Sequence, residues 1–386
     1  MIDKGIKDLK DCMGCHSCMN ICPVSCISMV SDIEGFLYPE VDNNLCVRCN
    51  KCVNVCPIIN KRIIANTPNA YACINRDEGI RLDSSSGGIF TLIAEKIISE
   101  AGVVFGAMFN NEFELVHQYV DKIEDLSKLR GSKYVQSKIN NAYKLAQNFL
   151  NSGRTVLFTG TPCQIAGLYS YLPRTYSNLL TIDFICHGVP SPRLWRKYIR
   201  FREDKADIDK INFRRKNNGW KQFSVSFIFK DNTEYRKIFK KDLYMRAFLR
   251  DICLRPSCYR CEFKTLNRQS DFTLGDFWGV GNILPEMDDD KGTSLVLVNS
   301  VEGNKIFDFL TPRMIFVKVN MDEAIKYNSP AIKSVPQNPK RQQFFNDLEI
   351  FEFDKLVNTY CTDKLINILI AKGKSFVKKI FFKTKY

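Results

Sequence analysis

The chain has no uninterrupted apolar run of the roughly 18–20 residues that a helix needs to cross a bilayer, so no membrane span is expected. Its first residues are polar and lead directly into a cysteine motif, which argues against a secretory signal peptide. Cysteine is too sparse for a disulfide scaffold: 16 in 386 residues, against the roughly 8–10% typical of small secreted frameworks. No nucleic-acid-binding motif accompanies the net charge of +14. These absences point to a cytoplasmic protein whose positive charge favours an anionic cofactor, an anionic substrate or a lipid surface over nucleic acid. Apolar residues at 45% and charged residues at 25% are ordinary for a globular chain, and its length calls for more than one core.

What the sequence does contain is a repeat. Cys12, Cys15, Cys18 and Cys22 precede Pro23, and 34 residues later Cys46, Cys49, Cys52 and Cys56 precede Pro57. Each half reads C-x2-C-x2-C-x3-C-P, the run in which three cysteines grip one iron–sulfur cube and the fourth reaches the other. Cluster one is therefore assigned to Cys12, Cys15, Cys18 and Cys56, and cluster two to Cys46, Cys49, Cys52 and Cys22. Zinc would use pairs or Cys/His sets and leaves the third cysteine and the proline unexplained. Cys26 reads as a small buried residue of this ferredoxin core. Residues 1–62 form the two-cluster domain, 63–345 a second domain, and 346–386 a basic amphipathic tail.

Beyond residue 70, strands alternate with helices. Strands are expected at Tyr71–Asn75, Val103–Phe109, Phe113–Tyr119, Thr155–Thr159 and Leu179–Cys186. Helices are expected at Ile89–Ser99, at Asn140–Leu150, from Pro162, and from Pro192 to Phe201. Phe223–Phe229 and Glu234–Phe239 read as a hairpin, Asp271–Trp278 as a strand, and Leu295–Val319 as strand–helix–strand. The expected class is an α+β ferredoxin-like domain followed by an α/β domain with a mainly parallel sheet and an antiparallel insertion.

Two clusters alone carry single electrons, so the larger domain should hold a docking module or a reaction site. Ser84–Gly88 opens a helix where backbone N–H groups suit a phosphate, although it is not G-x-G-x-x-G and a serine-capped turn explains it equally well. Cys163 and Cys186 stand just past predicted strands, and Cys258 and Cys261 form a C-x2-C pair. This second set fits a third 4Fe–4S cluster, a zinc site, or a reactive Cys163 thiol at a helix start; Cys253 is a substitute for one ligand. The run Arg130–Ser137 reads as a phosphate contact or a solvated loop. His187 is the candidate proton donor, His117 reads as structural, and Cys73 and Cys361 as inert thiols.

Several segments together resemble one family. They are Ser85–Gly88, Gly131–Ser137, Gly160–Gln164, Asp183–Gly188, Cys253–Cys261 with Ser270-Asp271, and Gly275–Gly279. From about residue 70 to 330 the chain resembles the beta subunit of coenzyme F-420 hydrogenase/dehydrogenase, with a ferredoxin fused in front. The resemblance implies an FAD-containing iron–sulfur oxidoreductase that moves electrons between clusters and a flavin. It would place FAD near Ser86, Gly87, Gly88, Lys133, Tyr134 and Thr161, and a 4Fe–4S cluster on Cys163, Cys186, Cys258 and Cys261. Cys186–Pro190 and Arg255–Tyr259 resemble the bacterial branch associated with surface-polysaccharide synthesis, where the deazaflavin is not a safe substrate. A redox partner such as a ferredoxin and a small-molecule substrate are implied. The alternative is an electron-transfer subunit without its own substrate that docks on a partner enzyme.

Lys364–Tyr386 has seven lysines, no acidic residue, and apolar residues at three-to-four spacing. It fits a helix packed on its own domain or on a second copy, a peripheral contact with the inner membrane face, or a flexible extension.

Overall fold

The computed structural model describes residues 2–62, 64–204 and 206–362; the basic tail from Lys364 lies outside the described residues. In the N-terminal domain, β1 (Ile27–Ser31) and β2 (Leu37–Val41) form an antiparallel hairpin. The two cysteine loops each end in a short helix, Ser17–Ile21 and Lys51–Asn54. The apolar contacts here are few, and many are cysteines: Cys12, Cys18, Cys22, Cys26 and Cys56 are all buried with Ile2, Ile6, Ile27 and Val41.

The larger domain contains β3 (Asn69–Asn75), β4 (Val103–Phe109), β5 (Leu115–Val120), β6 (Val156–Thr159), β7 (Leu179–Phe184), β8 (Ile208–Arg215), β9 (Ser224–Phe229), β10 (Glu234–Ile238), β11 (Phe272–Asp276), β12 (Ser294–Val298) and β13 (Met314–Val319). Eight of these form one sheet in the order β13-β3-β12-β11-β7-β6-β4-β5. It is mixed. β4, β6, β7 and β11 run parallel through its middle, and antiparallel partners flank them on both sides. The parallel strands are short and apolar because helices cover both faces. Along β6, Leu157 joins the core under helices Ile89–Ser99 and Val301–Leu310, while Val156 and Phe158 face helices Ala142–Asn151 and Pro162–Tyr171. The period-two alternation of a strand thus divides one residue run between two cores.

A separate three-stranded antiparallel sheet, β10-β9-β8, is the insertion. Around Trp195 it buries Tyr198, Phe213, Phe227 and Tyr244 with helix Pro192–Glu203. Helix Phe353–Cys361 packs in the same core through Phe353, Leu356 and Val357.

The two domains are clamped together. Phe36, at the β1–β2 turn, is fully buried in the core of the larger domain. Gly35 beside it has φ +91°, and a Cβ there would lie 2.5 Å from the Arg193 amide nitrogen, so only glycine admits this approach. Glu34 is buried and paired with Arg341. Arg255 is 1% exposed and donates to the carbonyls of Cys12 (2.8 Å) and Leu37 (2.9 Å) and to the Gln136 side chain (3.0 Å). Truncating the apolar anchor, Phe36→Ala, is expected to cost about 3–5 kcal/mol, read as a fall in the melting temperature of the anaerobically purified protein.

Candidate functional site

The cysteines stand in three groups. In the ferredoxin domain Cys12, Cys15, Cys18 and Cys56 are mutual electrostatic neighbours. Cys22, Cys46, Cys49 and Cys52 line a second small cavity, together with Cys26. Each group thus draws one cysteine from the opposite half of the repeat. Burial pushes the Cys15 thiol up to about 12. Thiolates in such a place need positive charge beside them, which iron supplies. Cys26 lies 3.4 Å from Cys22, sulfur to sulfur.

The third group forms around the start of helix Pro162–Tyr171. Thr161 caps that helix in a capping box with Gln164, and Pro162 occupies its first position. This fixes Cys163 in the first turn. Cys186 follows the end of β7, and Cys258 and Cys261 come from the turn Pro256–Arg260 and its end. All four line one cavity, with Met13, Ile58 and Arg255 also in its wall. Burial pushes the Cys163 thiol well above its usual range, and the nearby Cys261, Cys186 and Cys258 sulfurs push the same way. Cys253 is fully buried in the aromatic core and absent from this wall. Among the described residues no three His, Cys, Asp or Glu side chains converge on a point as a single metal ion requires. A four-iron cube instead spreads its thiolates over separate irons, and four cysteines ringing a space suit it.

Helix Pro162–Tyr171 also touches the ferredoxin. A Cβ on Gly167 would lie 2.9 Å from the Cys15 Cβ and 2.8 Å from the Ser17 hydroxyl, and Ser17 donates to the Gly167 carbonyl at 2.8 Å. Cys163 and Gly167 are one turn apart, about 6 Å along the axis. One helix turn therefore separates the first group from the third.

A larger cavity of about 560 Å³ adjoins the third group, sharing Thr161, Gln164, Cys186 and Gly188 with its wall. The volume is that of a cofactor or ligand pocket. Thr159, Phe184 and Asp276, the last residues of β6, β7 and β11, line it, which places it at the carboxyl ends of parallel strands, where open α/β sheets bind ligands. The N-terminus of helix Ile89–Ser99 opens on it, with Gly88 at φ +86° and no side-chain cap. Backbone amides left free there suit a phosphate group. Tyr134, Phe223, Phe239, Phe248 and Trp278 supply aromatic wall. This combination fits a dinucleotide such as FAD.

The residues that the family resemblance links to that cofactor take different positions. Ser86, Gly88, Lys133, Tyr134 and Thr161 line the cavity; Gly87 does not. The Gly87 amide donates to Ser294 at 2.9 Å, and a Cβ there would lie 2.3 Å from the Cys73 carbonyl oxygen, so Gly87 packs the loop onto the sheet. The Ser86 hydroxyl donates to the Thr293 carbonyl at 2.7 Å. Lys133 donates to the carbonyls of Leu129, Arg130 and Gly131 at 3.1–3.2 Å, and burial lowers its pKa to about 7. His187 lines the cavity with Nε2 2.6 Å from Asp251 Oδ1.

Four further groups were not apparent from the sequence. Arg214 pairs with Asp276 at 2.8 Å and also donates to the Tyr134 hydroxyl and the Ser85 carbonyl. Lys216 donates to the carbonyls of Arg81, Ser86 and Lys291, each at 2.7 Å. Asp251 holds His187, and Arg255 holds the ferredoxin. Arg255 does lie inside the Cys253–Cys261 stretch, and Asp276 inside Gly275–Gly279.

His117 is a structural link between the cavities. Its Nε2 lies 2.9 Å from the Thr159 carbonyl, so it must carry the proton there. Nδ1 then accepts from the Ser137 hydroxyl at 2.9 Å, whose oxygen accepts from Gln164 at 2.9 Å. The chain of bonds leads from β6 to the residue after Cys163.

A fold with a two-cluster iron–sulfur head and a cysteine-lined passage to a large cavity belongs to the oxidoreductase type. Comparison with known proteins is more particular. Residues 11–58 match the model of a 4Fe-4S dicluster domain. Residues 153–322 match the model of the C-terminal part of the coenzyme F420 hydrogenase/dehydrogenase beta subunit. The chain thus has a family-level match to that beta subunit, with an N-terminal 4Fe-4S dicluster domain. No curated protein matches the chain. Among solved structures, a chain of the xenon-derivatised F420-reducing [NiFe] hydrogenase complex from Methanosarcina barkeri is similar over 77% of this chain and 92% of its own, with 16% identity and a TM-score of 0.46.

Burial lowers the pKa of His117 to about 4, below the roughly 6.5 of an unfolded chain. Protons therefore bind the unfolded chain preferentially, and stability present above pH 6.5 is lost as pH falls towards 4. The loss is on the order of 3 kcal/mol at about 1.36 kcal/mol per pH unit. Melting temperatures across this range should fall less steeply in His117→Gln than in the native chain.

Proposed function

We propose that this chain is an iron–sulfur flavoprotein oxidoreductase. Electrons would pass between the two ferredoxin clusters and an FAD in the large cavity by way of a third 4Fe–4S cluster on Cys163, Cys186, Cys258 and Cys261. The observation that carries this reading is helix Pro162–Tyr171, which puts Cys163 into the third cysteine group and rests Gly167 on Cys15. FAD, when bound, supplies the exchange between single electrons and a hydride.

The chain's own residues have separate tasks. Arg255 and Gly167 hold the ferredoxin at short range. Thr161 and the Gln164–Ser137–His117 chain fix the first turn that carries Cys163. The amides at Gly88–Phe90 and the loop Arg130–Tyr134 would receive the phosphates, with Arg214 anchoring both loops through Ser85 and Tyr134. His187 holds one proton against Asp251 at Nε2, so as the proposed proton donor to a small-molecule acceptor it would give the proton carried on Nδ1. The Cys186–Pro190 and Arg255–Tyr259 stretches favour a role in surface-polysaccharide synthesis.

The test is anaerobic purification with iron, sulfide and flavin quantified. About twelve irons and one FAD per chain are expected; about eight irons without flavin would defeat the reading. Cys258→Ser should remove about four irons and leave the ferredoxin pair's spectroscopic signal intact. Reduction of a soluble dye by the isolated chain supports an enzyme with its own substrate site, whereas activity only with a partner supports an electron-transfer subunit.

A further inference from the structure

The third cysteine group has a neighbour that its packing leaves incompletely bonded. Arg268 is 3% exposed and lines the same cavity as the four cysteines. Its Nη2 donates to the Ala331 carbonyl at 3.1 Å, but Nε and Nη1 have no hydrogen-bond partner. The nearest carboxylate, on Asp183, is 1% exposed and stands 3.7 Å from Nη1. That is near enough to balance charge and too far to take the N–H. Asp183 Oδ1 has no partner either.

A guanidinium is costly to bury with donors unmet, so its position calls for an acceptor in the cavity. A second cation, Lys264, reinforces the same side by bonding the carbonyls of Cys186 and His187.

We propose that Arg268 is a positioning residue for the inner cluster, donating Nε–H and Nη1–H to its sulfur and favouring its more negative, reduced state. The inference rests on the reading that Cys163, Cys186, Cys258 and Cys261 hold such a cluster. Hydrogen bonds and local charge set cluster potentials, so the arrangement makes the inner cluster the accepting end of the chain. Cluster two lies at the other end, beside the exposed Cys49. Electron flow is thereby biased inward.

The experiment is a potentiometric titration followed by electron paramagnetic resonance on the anaerobic full-length protein, with the ferredoxin clusters as internal reference. Arg268→Gln should keep about twelve irons and shift the inner midpoint downward by at least tenfold in the one-electron equilibrium, which is about 59 mV. Arg268→Lys, which keeps the charge, should recover at least half of that shift. Asp183→Asn, which keeps Arg268 and removes its neutralising charge, should move the midpoint upward; it decides the matter should Arg268→Gln lose the inner irons. An inner midpoint unmoved in an iron-complete Arg268→Gln, or in Asp183→Asn, overturns the proposal. About eight irons in the unsubstituted chain would instead remove the cluster itself, a failure visible before any titration.

Discussion

The contact on which the rest depends is the bare backbone of Gly167 against Cys15. With a Cβ 2.9 Å from the Cys15 Cβ, any side chain at 167 would push the ferredoxin loop away from the helix. In the proposed electron path this close approach is what would keep the first and third cysteine groups near one another. The surrounding bonds serve the same end. Arg255 reaches from three residues before Cys258 to the Cys12 carbonyl, and Arg260 pairs with Asp8 and Asp11 at 2.5 Å. The segment that carries Cys258 and Cys261 is therefore also one that grips the ferredoxin.

The three cysteine groups differ in exposure, and the first is the most buried. Cys49 is exposed, Cys12, Cys18 and Cys56 are buried at 8% exposure each, and Cys163, Cys186, Cys258 and Cys261 are all half-buried. Where water is excluded it screens charge less, and each fixed dipole or cation counts for more. The Gly14 amide lies 3.4 Å from the Cys12 sulfur, and the Cys26 amide 3.4 Å from that of Cys22. At the third group the Val189 amide lies 3.4 Å from the Cys258 sulfur, and the cations Lys264 and Arg268 act on Cys186.

Much of the architecture was legible because apolar periodicity is unambiguous where elements are buried on one face. Ile89–Ser99 and Val103–Phe109 have the expected limits, and the helix from Pro162 starts where proline and threonine place it. β8 was not legible. Ile208–Arg215 carries Asp209, Lys210, Arg214 and Arg215, a composition that resembles a loop, and it forms a strand because β9 supplies its pairing and its inward positions include Phe213 and Arg214. Site residues followed the same rule. Cysteines announce themselves by spacing, but Arg214, Lys216, Asp251 and Arg268 matter through partners dozens of residues away. No local pattern encodes those pairings.

Lysine use at the large cavity shows why residue type alone misleads. An ammonium has three donors, and Lys133 and Lys216 each give all three to backbone carbonyls. Of the residues whose carbonyls accept, Leu129, Arg130, Gly131 and Ser86 line the cavity, and Arg81 and Lys291 do not. With those oxygens turned towards the lysines, the adjoining peptide units are held in fixed orientations. The lysines act as staples that fix the orientation of these peptide units. Burial lowers both to about 7, a cost that a bound anion nearby would offset by favouring the charged form. An anionic cofactor bound there, as proposed, would favour the same protonation state as the loop carbonyls, so that binding and loop order would become one equilibrium.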